Sequence, residues 1–379
     1  MDSHNYSGII EAEVYKKQFS EVIQKFKNKK IILYGAGEFF NVIDNSYDLR
    51  RYFDIAGISD KKFENGKMNE YNGYKVILPS ELRDYSADAI LLTLVEPNKV
   101  LNALKLTSYK YIKEIVPVYT NISPLFKYDI NLLKYENGKM YYHLNEYDID
   151  VVADEYYGII EEVFYWKIYN IKDKFKFENY DLYDIGMNRA YTDIYFALDP
   201  RCRKIFGFEP FKATYNYALE NISLNPKLKS KINAFPFGLS NKNVQEDVYF
   251  LPHRDGISTV NYDFIKSYAP EEIGKTKKEI VELRCADEIL GKLIEENPST
   301  HRILKLDAEG AEYDVLPNLY NADLLKLFNV AVGDMHILKS KNETKSLFEY
   351  FYKSGFEVYE INEHEKTIDY ILYKDIEIA

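Results

Sequence analysis

The sequence predicts an α/β protein of two doubly wound domains, and three observations carry that expectation. The chain has 379 residues, and at roughly 150 residues per domain that length fits two. Two strand and glycine-turn starts occur in it, KKIILYGAGEFF at 29–40 and YDLYDIGMN at 180–188. Each is followed by short apolar strands separated by stretches of helical spacing, the pattern of a parallel sheet with crossover helices.

Composition bounds the function classes. The chain is 46% hydrophobic and 16% aromatic, so it can bury ample apolar area and disorder is excluded. A net charge of −11 repels polyphosphate, and no basic footprint for DNA or RNA is present. Cys202 and Cys285, the only two cysteines, fit neither a disulfide framework nor a metal knuckle and suit a reducing cytosol. The N-terminus is acidic where a signal peptide is basic, and no apolar run reaches membrane-spanning length, so a soluble, cytoplasmic chain is expected. With 40 Lys against 9 Arg and many Tyr, Ile and Asn, the aromatic surplus follows a compositional bias.

The first domain, 1–120, starts at Ile31–Tyr34, four residues without alternation, as in a strand buried on both faces. Strands follow at Phe53–Ile58, Tyr74–Leu78, Ala89–Val95 and Ile112–Val118, and Pro79-Ser80-Glu81-Leu82 reads as a helix start capped by Ser80. Gly35-Ala36-Gly37 supplies a tight turn that a pyrophosphate could approach, with Asp60 placed to accept from a ribose hydroxyl. Phe40 replaces the third glycine of that fingerprint. A bound nucleotide and a scaffold with nothing bound there both fit.

Residues 121–179 read as a linker, hairpin and helix. Two β-rich arms flank Asn137-Gly138, the pair that best tolerates a type I′ turn. The stretch DEYYGIIEEVFYWKIYNI then spaces Tyr157, Ile160, Phe164, Trp166 and Ile168 as a helix packing on a sheet.

The second domain, 180–379, carries the informative turn. Asp184 stands directly before Gly186, where an anion would repel a diphosphate, so the ligand expected there is cationic or neutral. S-adenosyl-L-methionine fits, its amino group and sulfonium being positive. A second strand, Lys204–Phe208, ends at Glu209, placed to take both ribose hydroxyls. A third, Ile232–Phe237, runs into Gly238 and should end beside the adenine. Strands at Ile280–Cys285 and Arg302–Leu306 follow, the latter stopping at Asp307, Glu309 and Glu312. Acids at the carboxyl end of a parallel strand sit in the ligand crevice; near a helix start they also serve its dipole, the role toward which Glu312 leans. The strand Val330–Val332 ends at Asp334 and His336, beside Asp307 in the expected strand order.

DIGMN, GFEP, FGLS, DGIST, ILKLDAEGAEYDVL and GDMHI occur in the order and spacing of the FkbM-type S-adenosylmethionine-dependent methyltransferases, which roughly 180–340 resembles. The first domain resembles the small Rossmann-like module that accompanies such enzymes. The resemblance implies a class I methyltransferase fold with a mostly parallel seven-stranded sheet. It also implies O-methylation of a hydroxyl, often on a sugar or other secondary metabolite, as in surface-polysaccharide pathways. Asp184, Gly186 and Asn188 match the cofactor turn, Glu209 the ribose acid, and Asp307, Glu309 and Glu312 the acidic segment; Met187 within the turn and Phe237 and Gly238 at the third strand's end are also expected to bind the cofactor. Asp334 and His336 match a Glu-x-His pair. Ala190 and Arg189 depart from the family's glycine and small apolar residue; Arg189 suits a carboxylate of the cofactor or substrate, or a solvated surface.

Methyl transfer to an alcohol needs in-line positioning and a proton acceptor. His336 is the first candidate base because its ordinary pKa of about 6.5 suits the task. Asp307 and Glu309 complete the catalytic set, with His253 as a weaker alternative. A divalent metal clamping the acceptor is compatible with this many carboxylates, yet no spacing specifies one. The acceptor is expected to be a small molecule or glycan, and a homodimer is compatible with so aromatic a chain. The alternative function is a nucleotide-sugar or NAD binding protein or oxidoreductase using Gly35–Gly37, with a degenerate second domain.

Overall fold

A computed structural model describes residues 13–95, 111–119, 128–136, 139–153, 158–250, 276–338 and 340–379, together with residues 10, 97, 100, 104 and 109. The chain divides into two compact units, Met1–Asp148 and Ile149–Ala379. The division falls inside the 121–179 segment. His253, the DGIST segment, the Asn137-Gly138 turn and Tyr157 lie outside the described residues.

In the first unit, helix α1 (Glu13–Phe26) precedes β1 (Lys30–Tyr34), α2 (Glu38–Tyr47) and β2 (Asp54–Ser59). Short strands β3 (Glu70–Tyr71) and β4 (Tyr74–Lys75) lead to β5 (Ala87–Leu92) and β6 (Ile112–Pro117). The parallel sheet has the order β2-β1-β5-β6. Ile31, Ile32 and Leu33 are fully buried at its centre, each worth about 1.5–3 kcal/mol relative to exposure. The Tyr74–Leu78 run does not join this sheet as a full strand: only Tyr74–Lys75 is a strand, and it pairs antiparallel with β3. Nor does Ser80 cap the next helix. The 3-10 helix Pro79–Asp84 starts at Pro79, whose missing N–H costs nothing there, and Glu81 accepts from the backbone N–H of Leu78. Strands β7 (Ile130–Glu136) and β8 (Lys139–Leu144) form the antiparallel pair expected on either side of Asn137-Gly138.

The second unit opens on β9 (Ile149–Ala153). A short helical turn at Gly158–Ile160 then runs into the π-helix Glu161–Trp166. Next come β10 (Tyr180–Ile185), α3 (Tyr191–Ala197), β11 (Cys202–Phe208), α4 (Lys212–Leu224) and β12 (Ile232–Phe235). Strands β13 (Gly238–Ser240), β14 (Val244–Phe250) and β15 (Lys277–Cys285) make a separate small sheet. The chain continues with α5 (Ala286–Glu296), β16 (His301–Leu306), α6 (Glu312–Asn321), β17 (Val330–His336), α7 (Lys341–Lys353), β18 (Glu357–Glu363) and β19 (Thr367–Tyr373).

The main sheet has seven strands in the order β12-β11-β10-β16-β17-β19-β18. It is a mixed sheet, parallel from β12 to β17 and antiparallel at β17–β19 and β19–β18. The reason is the connection: β18 and β19 are joined by a short turn, which closes only antiparallel neighbours, whereas parallel strands need a crossover. All six residues of β10 are buried. Tyr183 and Ile185 pack in one core with Leu304, Leu306, Ala331 and Leu316. Strand order thus brings the carboxyl ends of β10, β11, β16 and β17 together. Among the described residues, no helix is long and apolar enough to cross a membrane.

Candidate functional site

The turn after β10 is built around a glycine that nothing can replace. Gly186 has φ +92°, and a Cβ on it would lie 1.8 Å from the Asp307 carbonyl oxygen, inside any allowed contact. The ends of β10 and β16 therefore touch through backbone alone. The amides of Gly186 and Met187 both donate to the Phe208 carbonyl at the end of β11, at 3.3 and 3.0 Å. Asn188 and Ala190 adopt left-handed backbone, φ +52° and +63°, which asparagine tolerates and alanine tolerates poorly. Glu209 straps the turn: one carboxylate oxygen accepts from Asn188 N–H at 3.1 Å, the other from Phe211 N–H at 2.8 Å.

A cavity of about 590 Å³ opens on this turn, within the range of small-molecule sites. Gly186, Met187, Asn188 and Glu209 line it with Asp307, Glu309 and His336, so seven of the ten residues singled out from sequence share one cavity. The other three lie elsewhere. Asp184 is fully buried beneath the turn and does not face the cavity as a cofactor ligand. It pairs across the sheet with Lys305 on β16, whose Nζ lies 2.9 Å from its Oδ1 and donates to Gly186 O at 2.5 Å. A carboxylate taken out of water requires such a partner. Asp193 is also fully buried. Burial first, and then the neighbouring Asp184 carboxylate, push its carboxyl well above the ordinary range. Phe237 packs against Phe208 and Phe235, and Gly238 against Leu283 and Pro210, where a Cβ would be 2.8 Å from Leu283. Both belong to the apolar packing, away from the cavity wall.

His336 ends β17 and is 3% exposed. Its Nδ1 is 3.1 Å from Glu312 Oε1, and its Nε2 is 3.3 Å from Glu309 Oε2 and 3.9 Å from Asp307 Oδ1. The same Oε1 accepts from Ala308 N–H, so it serves as the acceptor and Nδ1 as the donor of this pair. Burial alone would push the imidazolium down, but Glu309, Glu312 and Asp307 outweigh it and hold His336 well above its ordinary value. The unperturbed value that recommended His336 as a base does not apply in this setting. Glu309 moves the other way: burial, opposed by His336 and reinforced by Asp307 and Glu312, pushes its carboxyl up to about 8. Glu309 sits at φ +50°, a left-handed conformation that costs a non-glycine residue of order 1–3 kcal/mol. Glu312 does cap, accepting from Ala308 N–H at 2.8 Å, and the same oxygen holds the histidine.

Several wall residues carried no clear sequence signal. Tyr169 donates to Asp307 Oδ2 at 2.5 Å. Lys305 was visible only as a lone cation in the apolar run ILKL. Trp166 and Ile168, 58% and 41% exposed, line the cavity, whereas Ile160 and Phe164 are buried as a helix stripe should be. The π-helix accounts for the split, because its wider turn breaks helical spacing after Phe164. Arg189 is no solvated surface charge: it is 4% exposed, lines the cavity, and stacks its guanidinium 4.4 Å over the Tyr217 ring.

At the first turn the arrangement is closed on itself. Asp60 Oδ2 accepts from Ala36 N–H at 2.7 Å, its Oδ1 accepts from Lys62 N–H at 2.9 Å, and Lys62 Nζ donates to Ala36 O. Asp60 thus ties the loop through both of its oxygens.

Residues 27–114 match the family described as C2185-like, N-terminal. No curated protein matches the chain. Among solved structures, the methyltransferase FkbM from Methylobacillus flagellatus KT is similar at TM-score 0.37 and 10% identity, over 94% of this chain and 93% of that one. TrmK from M. capricolum, solved with the natural cofactor product S-adenosyl-homocysteine, has TM-score 0.31 and 12% identity over 55% of this chain and 66% of that one. Precorrin-6y C5,15-methyltransferase from Geobacter metallireducens GS-15 has TM-score 0.29 and 12% identity over 52% and 81% respectively. Residues 184–375, half of the chain and nearly all of the sheet that forms the cavity, match the methyltransferase FkbM domain, and the chain belongs to that family.

Proposed function

We propose that this methyltransferase uses S-adenosyl-L-methionine to methylate a hydroxyl of a sugar or glycan precursor. The observation that carries the reading is the cavity itself, which joins the Gly186–Arg189 turn and Glu209 to the Asp307, Glu309 and His336 cluster on a single wall. S-adenosylmethionine supplies, when bound, a methyl group already activated on a sulfonium. Glu209 lines the cavity with each carboxylate oxygen oriented by a backbone N–H, an acceptor suited to ribose hydroxyls. Arg189 offers a buried cation beside the turn for a carboxylate.

The acceptor side must orient an alcohol and take its proton. Asp307, Glu309 and His336 are the polar groups on this side of the cavity, with the two carboxyl groups placed to accept the proton and His336 to orient them. Around them the cavity mixes Asp334, His364, Thr367 and Asp369 with the exposed faces of Trp166 and Ile168. Hydrogen-bonding edges beside an aromatic platform suit a sugar, which has both hydroxyl edges and apolar faces. For the Gly35–Gly37 turn we propose a structural role, since Asp60 and Lys62 take the N–H and the carbonyl of Ala36 at its centre.

Calorimetry with S-adenosylhomocysteine tests the cofactor assignment: Glu209→Ala should weaken binding about 10- to 100-fold, as loss of a charged hydrogen-bond acceptor does. Unchanged affinity would remove it. Transfer of labelled methyl to nucleotide sugars and oligosaccharides tests the acceptor class, and label entering only phenols or nucleosides would exclude a glycan.

A further inference from the structure

We infer that Asp307, Glu309 and His336 form a binding site for one divalent cation of the Mn²⁺ type, an inference whose catalytic meaning rests on the methyl-transfer reading. One donor atom from each residue lies within 4.8 Å of the other two. The Nε2 of His336 is 3.3 Å from Glu309 Oε2 and 3.9 Å from Asp307 Oδ1. An ion held at about 2.0–2.2 Å from each ligand needs donors roughly 3–4 Å apart, so little movement closes the set.

The outer contacts argue for a ligand more specifically than the cluster does. Metal-bound imidazoles donate their second N–H to a carboxylate, which fixes the tautomer and aims the other nitrogen. Glu312, fully buried on α6, accepts from His336 Nδ1 and leaves Nε2 directed at Asp307 and Glu309. Ligating carboxylates are likewise held from behind. Tyr169 occupies Asp307 Oδ2, so Oδ1 is the oxygen turned toward the histidine. Lys305 lies 4.0 Å from that same outer oxygen, Oδ2, but its charge is balanced by Asp184 at 2.9 Å. Three carboxyl groups therefore converge on one imidazole, a donor set that one dication can gather.

Two oxygen donors and one imidazole nitrogen fit a cation between hard and borderline, which is where Mn²⁺ stands. Three protein ligands leave positions open. The site shares its cavity with Glu209 and the Gly186 turn, so an open position would bind and polarise the acceptor oxygen.

Electron paramagnetic resonance of the full-length chain titrated with Mn²⁺ tests this. One ion per chain is expected, with hyperfine coupling to a nitrogen that His336→Gln abolishes. Asp307→Asn and Glu309→Gln should weaken binding most. Tyr169→Phe, which removes one hydroxyl and leaves the packing, should weaken it about 10- to 100-fold, as outer-contact changes do. Absence of stoichiometric binding, binding without nitrogen coupling, or affinity unchanged in the ligand variants would overturn the site. Titration of the same samples with S-adenosylhomocysteine separates the two readings. Cofactor product bound without Mn²⁺ overturns the metal site alone; Mn²⁺ bound without cofactor product overturns the methyl-transfer reading and leaves the metal site standing.

Discussion

The two glycine turns solve one geometric problem with different strictness. Both follow the first strand of a parallel sheet, and in both an acid from the end of the next strand accepts from a turn amide: Asp60 from Ala36 N–H, Glu209 from Asn188 N–H. They differ in what lies under the glycine. A Cβ on Gly35 would meet the end of the Leu94 side chain at 2.5 Å, whereas on Gly186 it would meet the Asp307 backbone at 1.8 Å. They also differ in charge. Asp60 and Lys62 close the first turn, while the second rests on the fully enclosed Asp184–Lys305 pair and keeps its outer face on a cavity. A turn motif by itself therefore says little about binding. Both acids hold one backbone N–H on each oxygen, so what separates the turns is the cavity on which Glu209 stands.

The largest expected effect comes from replacing the glycines. Gly186→Ala should cost more than about 4 kcal/mol or abolish folding, because backbone cannot yield. Gly35→Ala, where a side chain can move, should cost about 1–3 kcal/mol. Urea unfolding of each variant measures the gap, and equal costs would break the comparison.

Next is the ion pair under the second turn. Lys305→Met leaves Asp184 and Asp193 without their cation and should destabilise by about 3–5 kcal/mol, the cost of an uncompensated buried charge. Adding Asp184→Asn to that variant should restore part of the loss in the same assay.

Asp193 gives a smaller effect with a definite sign. Its folded pKa is raised from 3.8 by burial and by Asp184, so the folded state binds its proton more tightly than the unfolded state does. The associated stability is fully present below about pH 4 and falls as pH rises toward the folded value. Asp193→Asn imitates the protonated group. It should flatten the fall in melting temperature above pH 4, and a slope identical to wild type would show that Asp193 is ionised in the fold.

Ala190→Gly should change stability least, within about 1 kcal/mol. Relief of the left-handed backbone at φ +63° is offset by loss of a buried methyl that packs among Met187, Ala218 and Ile222. The corresponding change to valine, β-branched at a positive φ, should be far more costly.

Much of this was legible in sequence because it depends on near neighbours. Unbroken apolar runs marked the buried strands, glycine marked the turns, and acids at strand ends marked Glu209, Asp307 and Glu309. The β18–β19 pairing, the displaced helix start at Pro79 and the π-helix that turns Trp166 toward the cavity were not legible. They depend on connection geometry and packing, which residue type alone does not encode.

The sequence by itself determined the α/β class, the two starts, and which strand ends carry acids. Only the tertiary structure decided what each acid does. Asp184 was expected to face a cationic cofactor and is instead paired with Lys305; Asp60, open between a nucleotide and an empty scaffold, ties its own loop. Tyr169 reaches Asp307 from 138 positions away, and Glu312 sets the tautomer of His336 from another element. A carboxylate's role follows from its burial and from the charges within a few ångströms, and strand order alone brings those neighbours into place.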